Sequence, residues 1–383
     1  MALVDLRNFH HMETNTADFQ EIGEKASRSE SSLNTCLVAP GRQQNHGRGS
    51  GRAGEKAGHM LFKLDQVREA QALIYRHMPP TPQFAWPLLA DRLGTEIWVK
   101  HENHTPTGAF KVRGGLVYLD ELTRTEPDCP GIITSTRGNH GQSIPFAARA
   151  FGLPVNVLCP ENNSREKVAA MRAWGAEVEL FGVDYEASRQ EVNRRAEELG
   201  LHIIGPFHEP LVRGVATYAL ELFEAAPDLD VVYVPVGMGS GICGLITIRD
   251  LLGLKTEIVG VVSSGADCYA LSYEAGQVVA TNATDTVLGD GMDCRSPMEL
   301  PVDIINRGAS GIVRISDDEL ADAMRAYYAD THNVAEGAGA AALAAAMQQR
   351  EALQGKKVGV ILSGGNVDAD LYARVLAGET PTR

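Results

Sequence analysis

The chain has no surplus of positive charge. Its 383 residues carry 35 Lys and Arg against 49 Asp and Glu, a formal net charge of −14. That excludes a general nucleic-acid binder, which must neutralise backbone phosphates with basic side chains. It leaves room for a local anion site, because backbone N–H groups hold anions unaided. No apolar run reaches the length of about 18 residues that a membrane-spanning helix requires. The six cysteines, at 36, 129, 159, 243, 268 and 294, form no CxxC pair. Neither a zinc ribbon nor a disulfide framework is therefore expected, and scattered thiols suit a reducing cytoplasm. The N-terminus has no basic-then-apolar secretion pattern, and no internal repeat or coiled-coil heptad is present.

What is there is core material: 44% of the residues are hydrophobic, enough for one large two-lobed enzyme or two medium domains. Residues 1–59 stand apart. They are polar, and the part GRQQNHGRGSGRAGEKAGHM (41–60) is rich in Gly and Arg, so a disordered extension or leader is expected there. A helix is expected from Met60, and strands and helices alternate after it. Strands are read at 95–102, 130–136, 155–160, 177–182 and near 202–207, with helices at about 140–151, 164–173 and 184–199. A second series adds a helix at 213–225, a strand at 231–236 and a helix after Gly241. It continues with a strand at 257–263, helices at 317–330 and 337–349 and a strand at 357–363. This alternation predicts α/β architecture with two open parallel sheets and helices on both faces. The expected division is a small α/β domain at 130–208 within a large domain of 60–129 and 209–383. Such folds place their site at the carboxyl ends of the strands.

The stretch VVYVPVGMGSGICG (231–244) contains a G-x-G-x-x-G spacing, Gly239 to Gly244. A dinucleotide site needs an acid at the end of the following strand to hold a ribose. Here that strand, EIVGVV, runs into Ser263-Ser264. A dinucleotide oxidoreductase therefore remains only an outside alternative. A glycine turn that opens a helix still presents several N–H groups and a favourable dipole, suited to one phosphate. Three more segments end strands or lie beside glycines: KHENHTPTGAFKVRGG (100–115), STRGNHGQS (135–143) and LSGGNVD (362–368). Taken alone, Lys111 would read as a surface lysine.

Together, in this order, the segments TGAFKVRGG, TRGNHGQ, VPVGMGSGICG, AEGAGAAALAA and SGGNVD resemble the fold-type-II pyridoxal-phosphate enzymes, and within them the serine/threonine dehydratase family. The resemblance spans roughly 60–383 and implies pyridoxal 5′-phosphate as the cofactor, in the two-lobed architecture of the tryptophan-synthase β type. It implies Lys111 as the Schiff-base lysine, with Phe110 packed against the ring and Asn139 on its O3′. Gly237, Met238, Gly239, Ser240 and Gly241 would cradle the phosphate, Glu336 would lie beside the cofactor, and Ser363 would face the pyridine nitrogen. A hydroxyl there leaves that nitrogen largely unprotonated, which suits elimination over transamination. Ser135, Thr136, Arg137 and His140 would hold the substrate carboxylate at a helix N-terminus. The implied reaction is dehydration and deamination of a β-hydroxy amino acid of threonine or serine type, through an aminoacrylate, to a 2-oxo acid and ammonia. A homodimer in the cytoplasm is implied as well.

The chain departs from the family in three places. Arg137 stands where racemising relatives carry a serine acid/base, and a guanidinium keeps its proton above pH ~12. Racemisation is not expected, and Arg137 would instead pair with a carboxylate or brace its loop. Val262 and Cys268 stand where some relatives place acidic metal ligands, so no metal is expected. Met238 and Ser240 interrupt an otherwise glycine-rich phosphate loop. The chain ends soon after SGGNVD, so feedback control by a C-terminal domain is not expected. The alternatives are a specialised dehydratase for phenylserine, 3-hydroxyaspartate or a hydroxyectoine-derived substrate, a synthase that adds a nucleophile to the aminoacrylate, and a catalytically silent binding protein of the same fold. Asp290 would cap its loop or line the substrate pocket.

Overall fold

Parallel strands are covered by helices on both faces, so they read as unbroken apolar runs. The computed structural model, which describes residues 61–382, shows this in VVYVP, EIVGVVS and KVGVIL. The expected extension over 1–59 lies outside the described residues. The chain enters through α1 (Leu64–Ile74), β1 (Gln83–Ala85), α2 (Pro87–Leu93), β2 (Glu96–His101) and α3 (Lys111–Thr125). Next come β3 (Ile132–Ser135), α4 (Asn139–Phe151), β4 (Val155–Cys159), α5 (Arg165–Ala173), β5 (Glu177–Leu180), α6 (Tyr185–Leu199) and β6 (His202–Ile203). The rest is α7 (Glu209–Ala225), β7 (Val231–Pro235), α8 (Ser240–Leu251), β8 (Glu257–Ser263), α9 (Cys268–Ala275), α10 (Glu299–Gly308), β9 (Gly311–Ile315), α11 (Asp317–Thr331), α12 (Gly337–Gln348), β10 (Lys357–Leu362) and α13 (Ala369–Leu376).

Two sheets result. Six strands run in the order β1-β2-β10-β7-β8-β9, and four in the order β5-β4-β3-β6. Every pairing is parallel except β1 with β2. Helix α12, GAGAAALAAAMQ, packs beneath the larger sheet. Alanine has the highest helix propensity, and its small side chain lets the helix axis approach the strands. Ala340 to Ala346 accordingly share one core cluster with Val231, Tyr233, Val358 and Val360. Helix α3 shares its core with the smaller sheet instead: Val112, Leu116 and Leu119 pack with Ile132, Val155 and Val157.

The structure differs from the expected elements at several points. The first helix begins at Leu64, not Met60. Helix α7 begins at Glu209 rather than 213, with Pro210 in its first turn, where the missing N–H has no helical partner to lose. Strands β1 and β9 and helices α2, α3, α9, α10 and α13 were not marked by the pattern reading. β1 is a three-residue edge strand, and α3 carries Gly114-Gly115 near its start. Those glycines admit close neighbours: a Cβ at 114 would lie 2.7 Å from the Leu211 carbonyl oxygen, and one at 115 would lie 2.4 Å from Ser143 Oγ.

Candidate active site

The segments singled out in the sequence leave the carboxyl ends of parallel strands. The 105–111 loop follows β2, the 136–138 turn follows β3, the 236–239 turn follows β7 and Ser363 follows β10. Two of them are stitched together. Phe110 N–H donates to the Ser363 carbonyl at 3.1 Å, Gly365 N–H to the Gly108 carbonyl at 2.9 Å, and Ala109 bridges Gly364. The result is a cleft between the strand ends. It is lined by Phe110, Lys111, Ser135, Thr136, Arg137, Asn139, His140, Gly237, Met238, Gly239, Ser240, Gly241, Glu336 and Ser363, all of the residues expected from the sequence.

Lys111 opens α3 and its amine lies 5.0 Å from the centroid of the Phe110 ring. Among the described residues the amine has no hydrogen-bond or ion-pair partner. Burial lowers its pKa to about 8, and the nearby Glu336 carboxylate opposes that shift. A buried, unpaired amine of this kind is a competent nucleophile near neutral pH. Phe110 also meets Tyr218 edge-to-face at 6.1 Å. Across the cleft, the 237–241 turn enters α8. Gly239 has φ +93° at the N-cap. A Cβ on Gly237 would fall 2.7 Å from the Gly291 carbonyl oxygen, and one on Gly239 would fall 2.8 Å from Pro301 Cβ. Only glycine fits, and its N–H groups stay accessible at a helix start. Ser240 and Ser363 are both buried, and Ser363 Oγ donates to the Ala338 carbonyl at 3.4 Å.

On the smaller-sheet side, Thr136 Oγ1 accepts from Gly138 N–H at 2.9 Å and from Gly141 N–H at 3.2 Å. The N–H groups of Arg137, Asn139 and His140, at the start of α4, are left to meet an anion. The His140 ring lies 3.4 Å from the Ile204 carbonyl oxygen. Burial, aided by the Lys111 charge, pushes its pKa down to about 3, so its ring is neutral. Arg137 faces Asp293 at 3.7 Å. Asn139 is held at both ends of its amide: its nitrogen donates to Glu336 Oε1 at 2.6 Å, and its oxygen accepts from Asn366 at 2.8 Å. One amide hydrogen remains to donate. Burial raises the Glu336 pKa to about 7, against the pull of Lys167. Glu336 Oε2 has no hydrogen-bond partner.

Lys167, Tyr185, Asp293 and Asn366 were not assigned roles from the sequence, although Asn366 lies inside the quoted SGGNVD. Lys167 sits in a helix whose REKVAAMR pattern reads as a solvated face, and no local signal distinguishes it. Among the described residues no group of three or more His, Cys, Asp or Glu gathers as metal ligands. Asp267 instead accepts from Arg314 at 2.8 Å.

An unpaired amine, an amide-lined anion cradle and a clamped Asn on one cleft define an enzyme site for a carbonyl-bearing phosphate cofactor. The family model described as "Pyridoxal-phosphate dependent enzyme" matches residues 74–364. The L-threonine ammonia-lyase of Thermotoga maritima is 30% identical over 317 residues, 82% of this chain and 78% of that protein. The L-threo-3-hydroxyaspartate ammonia-lyase of Saccharomyces cerevisiae is 33% identical over 315 residues, 82% of this chain and 96% of that protein. The processed form of threonine deaminase isoform 2 from Solanum lycopersicum superposes with a TM-score of 0.75 at 27% identity, covering 83% of this chain and 95% of that one. The chain belongs to the pyridoxal-phosphate-dependent enzymes of fold type II and is similar to their serine/threonine dehydratases. Its cofactor is pyridoxal 5′-phosphate.

Proposed function

We propose that the protein is an ammonia-lyase that converts a β-hydroxy amino acid of threonine or serine type into a 2-oxo acid and ammonia. The observation that carries this reading is the buried, unpaired amine of Lys111 facing a cleft that also holds the 237–241 amides and the Ser363 hydroxyl. Bound there, pyridoxal 5′-phosphate supplies an electrophilic carbon and an electron sink that acidifies the substrate's Cα proton. Lys111 Nζ holds the cofactor at rest and, once released, takes the Cα proton. The N–H groups of Gly237, Met238, Gly239, Ser240 and Gly241, with the Ser240 hydroxyl, hold the phosphate. Phe110 would pack on the cofactor ring, the remaining Asn139 hydrogen would be free to donate to its phenolic oxygen, and the Ser363 hydroxyl would face the ring nitrogen without protonating it. Ser135, Thr136, Arg137 and His140 frame the start of α4, which receives the substrate carboxylate. The β-hydroxyl leaves as water, and water returns when nitrogen is lost as ammonia, so the net change is loss of one ammonia. A guanidinium at 137 is no acid/base catalyst for Cα near neutral pH, which disfavours racemisation.

In the same reading, segment 130–208 is the small domain and segments 60–129 and 209–383 form the large one. The enzyme works as a homodimer in the cytoplasm. Among the described residues five cysteines are free, and no helix is long and apolar enough to cross a membrane.

The test is an absorbance scan followed by a substrate panel. The purified protein should show a band at about 410–420 nm that Lys111→Ala loses. It should release ammonia from threonine or serine. A protein that takes up no added cofactor, or that acts on none of threonine, serine, phenylserine and 3-hydroxyaspartate, overturns the reading. An acidic β-substituent would draw on Arg137, so 3-hydroxyaspartate belongs in the panel.

A further inference from the structure

The cleft holds a second lysine that the reaction described above does not use. Lys167 projects from the first turn of α5, on the smaller-sheet side, into the same cleft. Its ammonium lies 2.5 Å from Asp290 Oδ2 and 3.8 Å from Glu336 Oε2. Both carboxylates belong to segments of the larger-sheet side, one in the turn Asp290–Met292 and one at the N-cap of α12. Burial alone would lower the Lys167 pKa, but Asp290 and Glu336 outweigh it and hold the amine above the ordinary lysine value. The two carboxylates favour its cationic form. Its stem fills the space over Gly138, where a Cβ would come within 2.6 Å of Lys167 Cδ. The α5 turn is also tied to the start of α13. Ser164 Oγ hydrogen-bonds Asp368, and Glu166 accepts from Ala369 N–H at 3.1 Å.

Among the described residues Glu336 is the one acidic contact of Asn139, and Lys167 is the cation that comes to 3.8 Å from Glu336 Oε2, with Lys111 lying farther off. A carboxylate accepts hydrogen bonds more strongly when ionised, and a buried carboxylate stays ionised only beside a positive charge. We propose that Lys167 is a positioning residue: from across the cleft it holds Glu336 as the acceptor that orients the Asn139 amide toward the cofactor. The proposal rests on the cofactor reading of the site. Lys167 need not touch the substrate for this role. It acts through Glu336, and Glu336 acts through Asn139.

The charged groups that face Glu336 are Lys167 from α5, Asp290 from its turn and Lys111 from α3. Asp368 lies beyond Lys167, and His140, against Lys111, is uncharged. Removal of Lys167 takes away positive charge, so protonation of Glu336 moves to higher pH.

The experiment compares wild type, Lys167→Met, Lys167→Arg, Glu336→Gln and the Lys167→Met/Glu336→Gln double variant as holoenzymes. Two readouts need no substrate: cofactor affinity, and the pH midpoint of the bound cofactor's absorbance. Lys167→Met should raise that midpoint by about one unit. It should also lower kcat by at least about tenfold while KM stays within about threefold. Lys167→Arg should recover kcat to within about threefold. In the Glu336→Gln background, Lys167→Met should change kcat by no more than about twofold, because the relay is already cut.

If Lys167→Met takes up cofactor with an unmoved midpoint and wild-type kcat, the proposal is overturned while the cofactor reading stands. A kcat loss that Glu336→Gln does not absorb also overturns it. A wild-type protein that takes up no cofactor overturns both. Where Lys167→Met does not fold, Asp290→Asn removes a negative charge near Glu336 and frees Lys167 to approach it, so the midpoint should fall. An unchanged or rising midpoint in that variant overturns the proposal.

Discussion

Phe110 N–H donates to the carbonyl of Ser363 at 3.1 Å. That one bond ties the residue before the site lysine to the residue after the last strand of the larger sheet, about 250 positions later in the chain. Lys111 and Ser363 come to one cleft because the two strands concerned, β2 and β10, are sheet neighbours in register.

Burial holds the Lys111 pKa near 8, and only the neutral amine attacks an aldehyde. The apoprotein should take up pyridoxal 5′-phosphate slowly at pH 7 and about tenfold faster at pH 9. Stopped-flow absorbance gives the rate. A flat profile, or one still rising steeply toward pH 11, contradicts the placement of this amine in a dry cleft.

Glu336 has its pKa raised to about 7. It is ionised above that value and protonated below it. As pH falls through about 7, the charge-assisted bond from Asn139 weakens, so kcat should drop on an acid limb with its midpoint there. Glu336→Gln should flatten the limb and give a low, nearly pH-independent kcat between about pH 6 and 8. A limb that persists in this variant assigns it to another group.

Gly239 combines φ +93° with a Pro301 carbon 2.8 Å from where a Cβ would sit. Gly239→Ala should destabilise the protein by about 1–3 kcal/mol and weaken cofactor retention, read by dialysis and thermal melting. Gly253→Ala, at φ +65° but with open space around it, should lose stability only and keep its cofactor.

Behind the site, Arg113 is fully buried and bonds Glu102 and Glu221 at 2.6–3.0 Å, and Lys100 joins Glu221 at 2.6 Å. Arg113→Met takes the guanidinium from buried Glu102 and leaves Glu221 with Lys100 alone. Urea unfolding should show a loss of about 3–5 kcal/mol, since an uncompensated buried charge costs far more than an exposed one. Arg124→Met, which breaks an exposed pair with Asp120, should cost less than about 1 kcal/mol.

Much of the fold was legible in the order of residues because parallel strands are short apolar runs that alternate with helix-length segments. The strand 257–263 was read to the residue, and 155–159 to within one. β9, GIVRI, was not, because an edge strand is only half covered and mixes Arg314 with apolar neighbours. Helix α3 was missed because its two glycines argue locally against a helix. They are there to let α7 and α4 approach, a demand that exists only after packing.

The glycine turn at 237–241, the Lys111 segment and the Ser363 turn were determined by the sequence itself. Close backbone approach, a primary amine and a small hydroxyl are each properties of one residue at one local position. The partners of Glu336 were decided by tertiary structure alone. Lys167 and Asp290 are 123 residues apart; LGDGMD marks Asp290 as a loop cap or pocket residue, but nothing in REKVAAMR separates Lys167 from a solvated charge. Their roles arise because folding brings both to one cleft beside the buried Glu336, which stays ionised only if a cation arrives from the opposite side.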